Sequence, residues 1–179
     1  MEIIKTSIEG LVIIQPKIFQ DERGYFMESY KQSFIDKNFP DFKFIQENES
    51  KSSFGVLRGL HFQKPPYEQT KLVRVVRGRV QDVAVDLRKG SPTFGKHESI
   101  ILSDENKKQL FIPKGFAHGF LTLSEEAIFS YKVDGIYNSD SESGISYNDD
   151  ILSINWNIKR ENIILSKKDL SLKQQILKQ

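Results

Sequence analysis

The chain has 179 residues, 38% hydrophobic and 11% aromatic, which suits one domain with a sizeable core. Its 26 Lys and Arg residues nearly balance 24 Asp and Glu residues, and the two signs are interspersed, so no basic stripe indicates nucleic-acid binding. The absence of cysteine excludes disulfides, thiolate nucleophiles and sulfur-ligated zinc. Because the chain shows no signal-peptide pattern and no apolar run of membrane-spanning length, we expect a cytoplasmic protein without a membrane partner.

Ten short runs rich in β-branched and aromatic residues, separated by turn residues, predict β-strands. In chain order they span residues 11–15, 25–30, 42–46, 56–63, 72–77, 79–87, 99–102, 109–112, 117–123 and 127–133. Two segments predict helix, a short one near residues 31–38 and a carboxyl-terminal one that begins near Lys167, where Leu170, Leu172 and Ile176 recur loosely. The pattern predicts an all-β sandwich or barrel that forms a single domain over residues 1–179.

The predicted strand 79–87 alternates between two kinds of side chain. Val83 and Val85 fall on one face, whereas Asp82, Ala84 and Asp86 fall on the other. This period of two predicts a half-buried strand, one face of which is solvated or lines a cavity.

Two of the three histidines, His61 and His118, lie in predicted strands that are interrupted by glycine. Imidazole titrates near neutrality, so the pair indicates either proton transfer or metal ligation, and hydrogen bonding within the sheet is the alternative. A metal centre of the cupin type is incomplete here, because the sequence reads His61-Phe62-Gln63 where a His-x-His pair is expected. It would need His61, His118 and a carboxylate such as Glu68, whereas His97 is flanked by charges and is expected to face solvent.

Other catalytic templates are missing from the sequence. It contains neither a glycine-rich phosphate loop nor a Gly-x-Ser-x-Gly elbow, which excludes hydride transfer on a Rossmann unit and triad hydrolysis. Acid–base chemistry remains, and it fits proton abstraction next to a carbonyl. The residues available for it include His61, Lys71, Asp82, His118, Tyr131, Tyr137, Glu142 and Asp169.

Nine short segments carry a more specific pattern. They are 21–26 (DERGYF), 46–48 (QEN), 55–63 (GVLRGLHFQ), 71–75 (KLVRV), 82–88 (DVAVDLR), 91–95 (SPTFG), 112–120 (IPKGFAHGF), 131–132 (YK) and 165–169 (LSKKD). Taken together and in this order, they resemble the dTDP-4-dehydrorhamnose 3,5-epimerase family over nearly the whole chain. The resemblance implies a cupin-type jelly-roll β-barrel and an isomerase of dTDP-rhamnose biosynthesis, the pathway that supplies cell-surface polysaccharide.

The resemblance also implies catalytic roles. His61 is the general base, oriented by Asp169, and Tyr131 is the acid on the opposite face of the sugar. Lys71 polarises the C4 ketone and stabilises the enolate oxygen. Inversion at C5 and C3 then converts dTDP-4-dehydro-6-deoxy-D-glucose into dTDP-4-dehydro-L-rhamnose without a metal or a redox cofactor.

For substrate binding, the resemblance implies that Arg23 and Arg58 clamp the diphosphate, since a guanidinium fork matches phosphate oxygens. It further implies a homodimer in which the neighbouring subunit supplies part of the nucleotide site. The remaining residues implied to contact the substrate are Phe26, Glu28, Gln46, Glu47, Asn48, His118, Tyr137, Glu142 and Lys168.

Three features of the sequence leave questions open. Glu47 stands where the family usually has Asp, and either Lys167 or Lys168 takes the ligand role. Strict alternation places Arg58 and His61 on opposite faces, so either Gly59 marks a bulge or Arg58 reaches the neighbouring subunit's site.

Alternative functions are a single-centre epimerase or a 3,4-ketoisomerase of a related nucleotide 4-keto sugar, and a non-catalytic or metal-binding cupin.

Overall fold

Two antiparallel β-sheets face each other in the computed structural model, which describes residues 1–40 and 43–174. The strands are β1 (Glu2–Lys5), β2 (Val12–Gln15), β3 (Ile18–Asp21), β4 (Gly24–Met27), β5 (Gln46–Ser53), β6 (Leu57–Gln63), β7 (Lys71–Arg77), β8 (Arg79–Asp86), β9 (His97–Ser103), β10 (Gln109–Ile112), β11 (Phe116–Thr122), β12 (Glu126–Val133) and β13 (Glu142–Gly144). The helices are α1 (Gln32–Asn38) and α2 (Lys167–Leu170), with a 3-10 turn at Arg160–Asn162.

One sheet has six strands in the order β1-β2-β10-β7-β12-β5, and the other has five in the order β13-β6-β11-β8-β9. Strands β3 and β4 form a separate two-stranded hairpin. This arrangement confirms the predicted jelly-roll β-sandwich of the cupin type. Among the described residues, no helix is both long and apolar enough to cross a membrane.

The largest apolar cluster lies between the sheets. Val73, Val75 and Phe129 reach it from the six-stranded sheet, whereas Ala84 and Phe120 reach it from the five-stranded one. Burial of these side chains holds the two sheets together, since each buried aliphatic or aromatic side chain contributes about 1.5–3 kcal/mol.

The outer face of the five-stranded sheet is also covered. Val83 and Val85 pack there against Leu152 and Trp156 of the carboxyl-terminal segment. Every residue of β8 from Val80 to Asp86 is therefore buried. Of the two alternatives predicted for one face of this strand, solvation and the lining of a cavity, solvation is wrong. The polar face turns inward, towards the space between the sheets.

The strand prediction for residues 42–46 is also wrong. Phe42 lies outside the described residues, residues 43–45 form no strand, and β5 extends instead over the polar run Gln46–Ser53. Among the described strands it pairs with β12 alone. Its residues are polar on both faces and almost all exposed or half-buried, so it lacks the apolar alternation that reveals a half-buried strand. Three short strands, β1, β3 and β13, were not predicted at all.

The two predicted helices are present at different lengths. Helix α1 matches the prediction near residues 31–38, whereas α2 is a single turn and residues 171–174 are not helical. Ile176 lies outside the described residues. The side chain of Ser166 accepts a hydrogen bond from the Asp169 amide, and this cap fixes the start of α2.

Candidate active site

A cavity of about 540 Å³ opens between the two sheets. His61 enters it from β6 of the five-stranded sheet, whereas Tyr131 enters from β12 and Lys71 from β7 of the six-stranded sheet. The predicted catalytic residues therefore line one space from opposite sides. The lining includes Arg58, His61, Lys71, His118, Phe129, Tyr131, Ser166, Lys168 and Asp169.

A β-bulge brings Arg58 and His61 to this same cavity. His118 of β11 lies opposite His61 and Phe120 lies opposite Arg58, so one residue of β11 faces two residues of β6. The extra residue resets the alternation of β6, as one of the two sequence interpretations predicted. Gly59, at φ +129°, permits the bulge, because a Cβ atom there would lie 2.6 Å from the Cα atom of Gly119.

His61 forms a dyad with Asp169. The His61 Nε2 atom lies 2.5 Å from the Asp169 Oδ1 atom, and the other carboxylate oxygen accepts a hydrogen bond from Ser166 at 2.7 Å. Burial alone would raise the pKa of Asp169, but the hydrogen bonds from His61 and Ser166 leave that pKa below its usual value. A carboxylate that accepts from Nε2–H leaves Nδ1 as the imidazole nitrogen that can take a proton.

His118 forms a second dyad, with Asp82. Its Nε2 atom lies 3.0 Å from both carboxylate oxygens, and both residues are buried. The imidazole ring also stacks on Phe129 with a centroid separation of 6.1 Å. Asp82 comes from the inward-facing polar side of β8 and holds His118 in one orientation.

Lys71 is a half-buried cation at the start of β7. No hydrogen bond or ion pair to its ammonium forms within residues 1–40 and 43–174. Burial lowers the pKa of Lys71 to about 8, although the negative charges of Asp82 and Glu142 oppose this shift. An unpaired ammonium beside a cavity is suited to stabilise an oxyanion of a bound ligand.

Tyr131 is a partly buried phenol on the same face of the six-stranded sheet as Lys71. Burial raises the pKa of Tyr131, and this rise is opposed by the charge of Arg58 and by a hydrogen bond with Asn48. The phenol is consequently protonated at neutral pH and can donate a proton.

A smaller cavity of about 140 Å³ adjoins the main one and shares His61, Lys71 and Tyr131 with it. Glu142 and Tyr137 line this second space. Of the two adjacent lysines, Lys168 lines the main cavity and lies 2.5 Å from a Glu142 oxygen. The structure thus favours Lys168 over Lys167 for contact with a ligand.

The Gln46–Asn48 segment divides between the two faces of β5. Gln46 donates to Asn48, which neighbours Tyr131, whereas Glu47 points to the other face. There Glu47 accepts hydrogen bonds from Ser130 at 2.8 Å and from Lys132 at 2.5 Å. Glu47 therefore holds β5 against β12, and its predicted contact with the nucleotide remains a prediction.

Arg23, Phe26 and Glu28 lie on or directly after the β3–β4 hairpin. None of the three is among the described residues that line the main cavity. Arg23 forms an exposed ion pair with Asp21 at 2.6 Å, and Phe26 is 66% exposed. Within one chain, the hairpin therefore does not bring these predicted ligand contacts to the cavity.

Comparison with known proteins identifies the family. A sequence profile described as dTDP-4-dehydrorhamnose 3,5-epimerase matches residues 5–176. The chain is 52% identical over 172 residues to a dTDP-4-dehydrorhamnose 3,5-epimerase of Shigella flexneri, covering 96% of this chain and 94% of the relative. The chain belongs to the dTDP-4-dehydrorhamnose 3,5-epimerase family. It is therefore an epimerase, which is a kind of isomerase.

Two further proteins resemble this epimerase closely. The dTDP-4-dehydrorhamnose 3,5-epimerase of Methanothermobacter thermautotrophicus is 49% identical over 171 residues, covering 95% of this chain and 92% of the relative. A crystal structure of the dTDP-6-deoxy-D-glucose-3,5-epimerase of Legionella pneumophila, in complex with dTDP-4-keto-L-rhamnose, has a TM-score of 0.94 and 49% identity. It covers 99% of this chain and 94% of that one.

The alternative of a metal-binding cupin lacks a set of ligands among the residues that the structure describes. No three His, Asp or Glu side chains there are arranged to hold a metal ion. His61 and His118 each hydrogen-bond a carboxylate of their own. His97 is half-buried at the start of β9, and burial lowers its pKa, so it is only partly exposed to solvent.

Two residues of the site were not predicted for it. The sequence indicates Asp82 only as one of several available carboxylates, and it indicates no role for Ser166. The Ser166-x-x-Asp169 spacing is a helix-capping pattern that could have revealed Ser166. For Asp82, the available signal was an acidic residue within a strand that alternates with valine.

Proposed function

We propose that this epimerase inverts C3 and C5 of dTDP-4-dehydro-6-deoxy-D-glucose, with His61 as base and Tyr131 as acid, and needs no cofactor. The supporting observation is that these two side chains enter one cavity from opposite sheets. A sugar ring between them has one face towards an imidazole and the other towards a phenol. Removal of a proton on one face and its return on the other inverts a carbon.

The chemistry at each carbon follows from the ketone at C4. C3 and C5 are both adjacent to it, so loss of either proton gives an enolate whose charge rests on the C4 oxygen. Nδ1 of His61 takes the proton, and Asp169 stabilises the resulting imidazolium. The Lys71 ammonium, which is unpaired within the described residues, neutralises the oxyanion. The phenol of Tyr131 then protonates the opposite face, and exchange with solvent resets both groups.

Incorporation of solvent deuterium tests this function and its regiochemistry together. The protein, incubated in deuterated water with dTDP-4-dehydro-6-deoxy-D-glucose, is expected to place deuterium at both C3 and C5 of the product, as read by NMR. Label at one carbon alone would assign a single-centre epimerase, and formation of a 3-keto sugar would assign a ketoisomerase. A protein that binds dTDP but exchanges neither proton would be a non-catalytic relative.

Activity is expected to fall as pH rises through about 8, because Lys71 loses its charge there. The ammonium form is the one that stabilises an oxyanion; it predominates below this pKa and is lost above it. The measurement is kcat/KM against pH, which reports groups of the free enzyme. In Lys71→Arg, whose guanidinium stays charged to high pH, any remaining activity should lack this alkaline fall. A wild-type profile that stays flat to pH 10 would refute the role of Lys71.

We also propose that the protein is a homodimer in which one subunit's hairpin contributes to the other subunit's nucleotide site. The hairpin exposes Phe19, Tyr25 and Phe26, and it lies away from the cavity of its own chain. These three aromatic side chains, exposed on the hairpin that carries Arg23, are suited to contact a nucleotide held by another copy. Light scattering should give twice the chain mass of 20.7 kDa; a monomer at assay concentration would contradict the shared site.

The single-domain organisation and the cytoplasmic location belong to the same proposal. The family profile spans residues 5–176, which supports one catalytic domain over residues 1–179. A location in the cytoplasm is supported by the lack of cysteine. Limited proteolysis that yields two stable fragments would contradict the single domain. Secretion of the protein into the medium would contradict the cytoplasmic location.

A further inference from the structure

An ion pair joins the walls of the two adjoining cavities. Glu142 belongs to β13, which pairs with the His61 strand so that Gly144 lies opposite His61. Lys168 belongs to α2, next to Asp169. The 2.5 Å contact between the Lys168 Nζ and Glu142 Oε1 atoms therefore connects the two segments that flank the catalytic dyad.

Both carboxylate oxygens of Glu142 are occupied. One accepts from Lys168, and the other accepts from the Tyr137 hydroxyl at 2.7 Å. Burial alone would raise the pKa of Glu142, but these two hydrogen bonds hold it below the usual value. Glu142 is thus an anion at neutral pH, and its side chain is only 20% exposed.

Lys168 differs from Glu142 in its access to solvent and ligand. Its side chain is 53% exposed, and it lines the main cavity together with Arg58. An ion pair with one exposed partner is weak and easily exchanged. The diphosphate of a nucleotide sugar brings two negative charges, against the single charge of Glu142, and its oxygens form charge-assisted hydrogen bonds, so it competes well for the Lys168 ammonium.

We propose that Glu142 is the counter-ion of Lys168 while the site is empty. When the nucleotide sugar binds, Lys168 leaves Glu142 and pairs with a phosphate of the ligand. The exchange leaves one Glu142 oxygen free to accept a hydrogen bond from a sugar hydroxyl in the smaller cavity. A ligand with both a diphosphate and a sugar satisfies both groups, whereas a free anion leaves Glu142 without its cation. Glu142 thereby selects the complete nucleotide sugar. This inference rests on the proposed function.

A double-mutant cycle tests the exchange, with dTDP as the probe and calorimetric titration of the full chain as the measurement. Glu142→Gln keeps the size of the side chain but removes its charge, so it should tighten dTDP binding about twofold to fivefold. Lys168→Met should weaken binding by at least about tenfold, since a charge-assisted bond is lost. In the Lys168→Met background, Glu142→Gln should have no further effect, because no cation remains to be released.

The adjacent Lys167 supplies the matched control, since Lys167→Met makes the same change in charge at a residue that does not line the cavity. It should leave the affinity for dTDP within twofold of wild type. An equal gain in dTDP affinity from Glu142→Gln in the wild-type and Lys168→Met proteins would show that Glu142 simply repels the ligand. That result would overturn the exchange but not the proposed function. Weaker dTDP binding in Glu142→Gln would also overturn the exchange. Failure of the wild-type protein to bind dTDP would instead refute the proposed function, and the exchange with it.

Discussion

Replacement of His61 by glutamine is expected to remove deuterium exchange at C3 and C5 together and to lower epimerisation by about 10²–10⁴-fold. The amide of glutamine can still donate to Asp169, which lies 2.5 Å from the His61 Nε2 atom, so the buried carboxylate keeps a partner. What is lost is the nitrogen that accepts a proton. The measurement is the rate of deuterium incorporation by NMR, with turnover measured in parallel.

His97→Gln provides the control, because His97 is half-buried in β9 and does not line the cavity. Its activity should stay within about twofold of wild type. Wild-type exchange at either carbon in His61→Gln would show that another group is the base. Thermal unfolding of both variants verifies that any loss reflects chemistry and not stability.

Replacement of Tyr131 by phenylalanine is expected to separate proton loss from inversion. His61 and Lys71 remain, so protons at C3 and C5 should still exchange with solvent. Without the phenol, no acid stands on the opposite face, and formation of the inverted product should fall by about 10²-fold or more. Deuterium content of the recovered substrate and the amount of product, measured in one sample, give the two rates.

Tyr147→Phe removes a phenol that does not line the cavity and should behave as wild type. If Tyr131→Phe inverts its substrate at the normal rate, Tyr131 is not the acid. If it loses exchange as completely as His61→Gln does, the phenol takes part in proton removal, and the assignment of separate base and acid is wrong.

The sequence predicted most of the described strands because an apolar strand in a two-sheet fold leaves a period-two pattern. That pattern was absent from polar β5, an edge strand, and from the short strands β1, β3 and β13, so these were missed or misplaced. Only some of the predicted site residues line the main cavity. His61, Lys71, Tyr131 and Asp169 do line one cavity, whereas Arg23, Phe26 and Glu28 lie away from it on the hairpin.

The sequence by itself determined which chemical groups are available and that the chain forms an all-β sandwich or barrel, because both follow from residue identity and local order. Only the tertiary structure decided which groups meet. The bulge opposite Gly119 turns Arg58 and His61 to the same cavity, and the pairing of β8 with β11 brings Asp82 to His118. It also brought Lys168, and not Lys167, to the wall of this cavity. The physical reason is that strand register and long-range side-chain pairing depend on segments far apart in the chain, and local alternation carries no information about them.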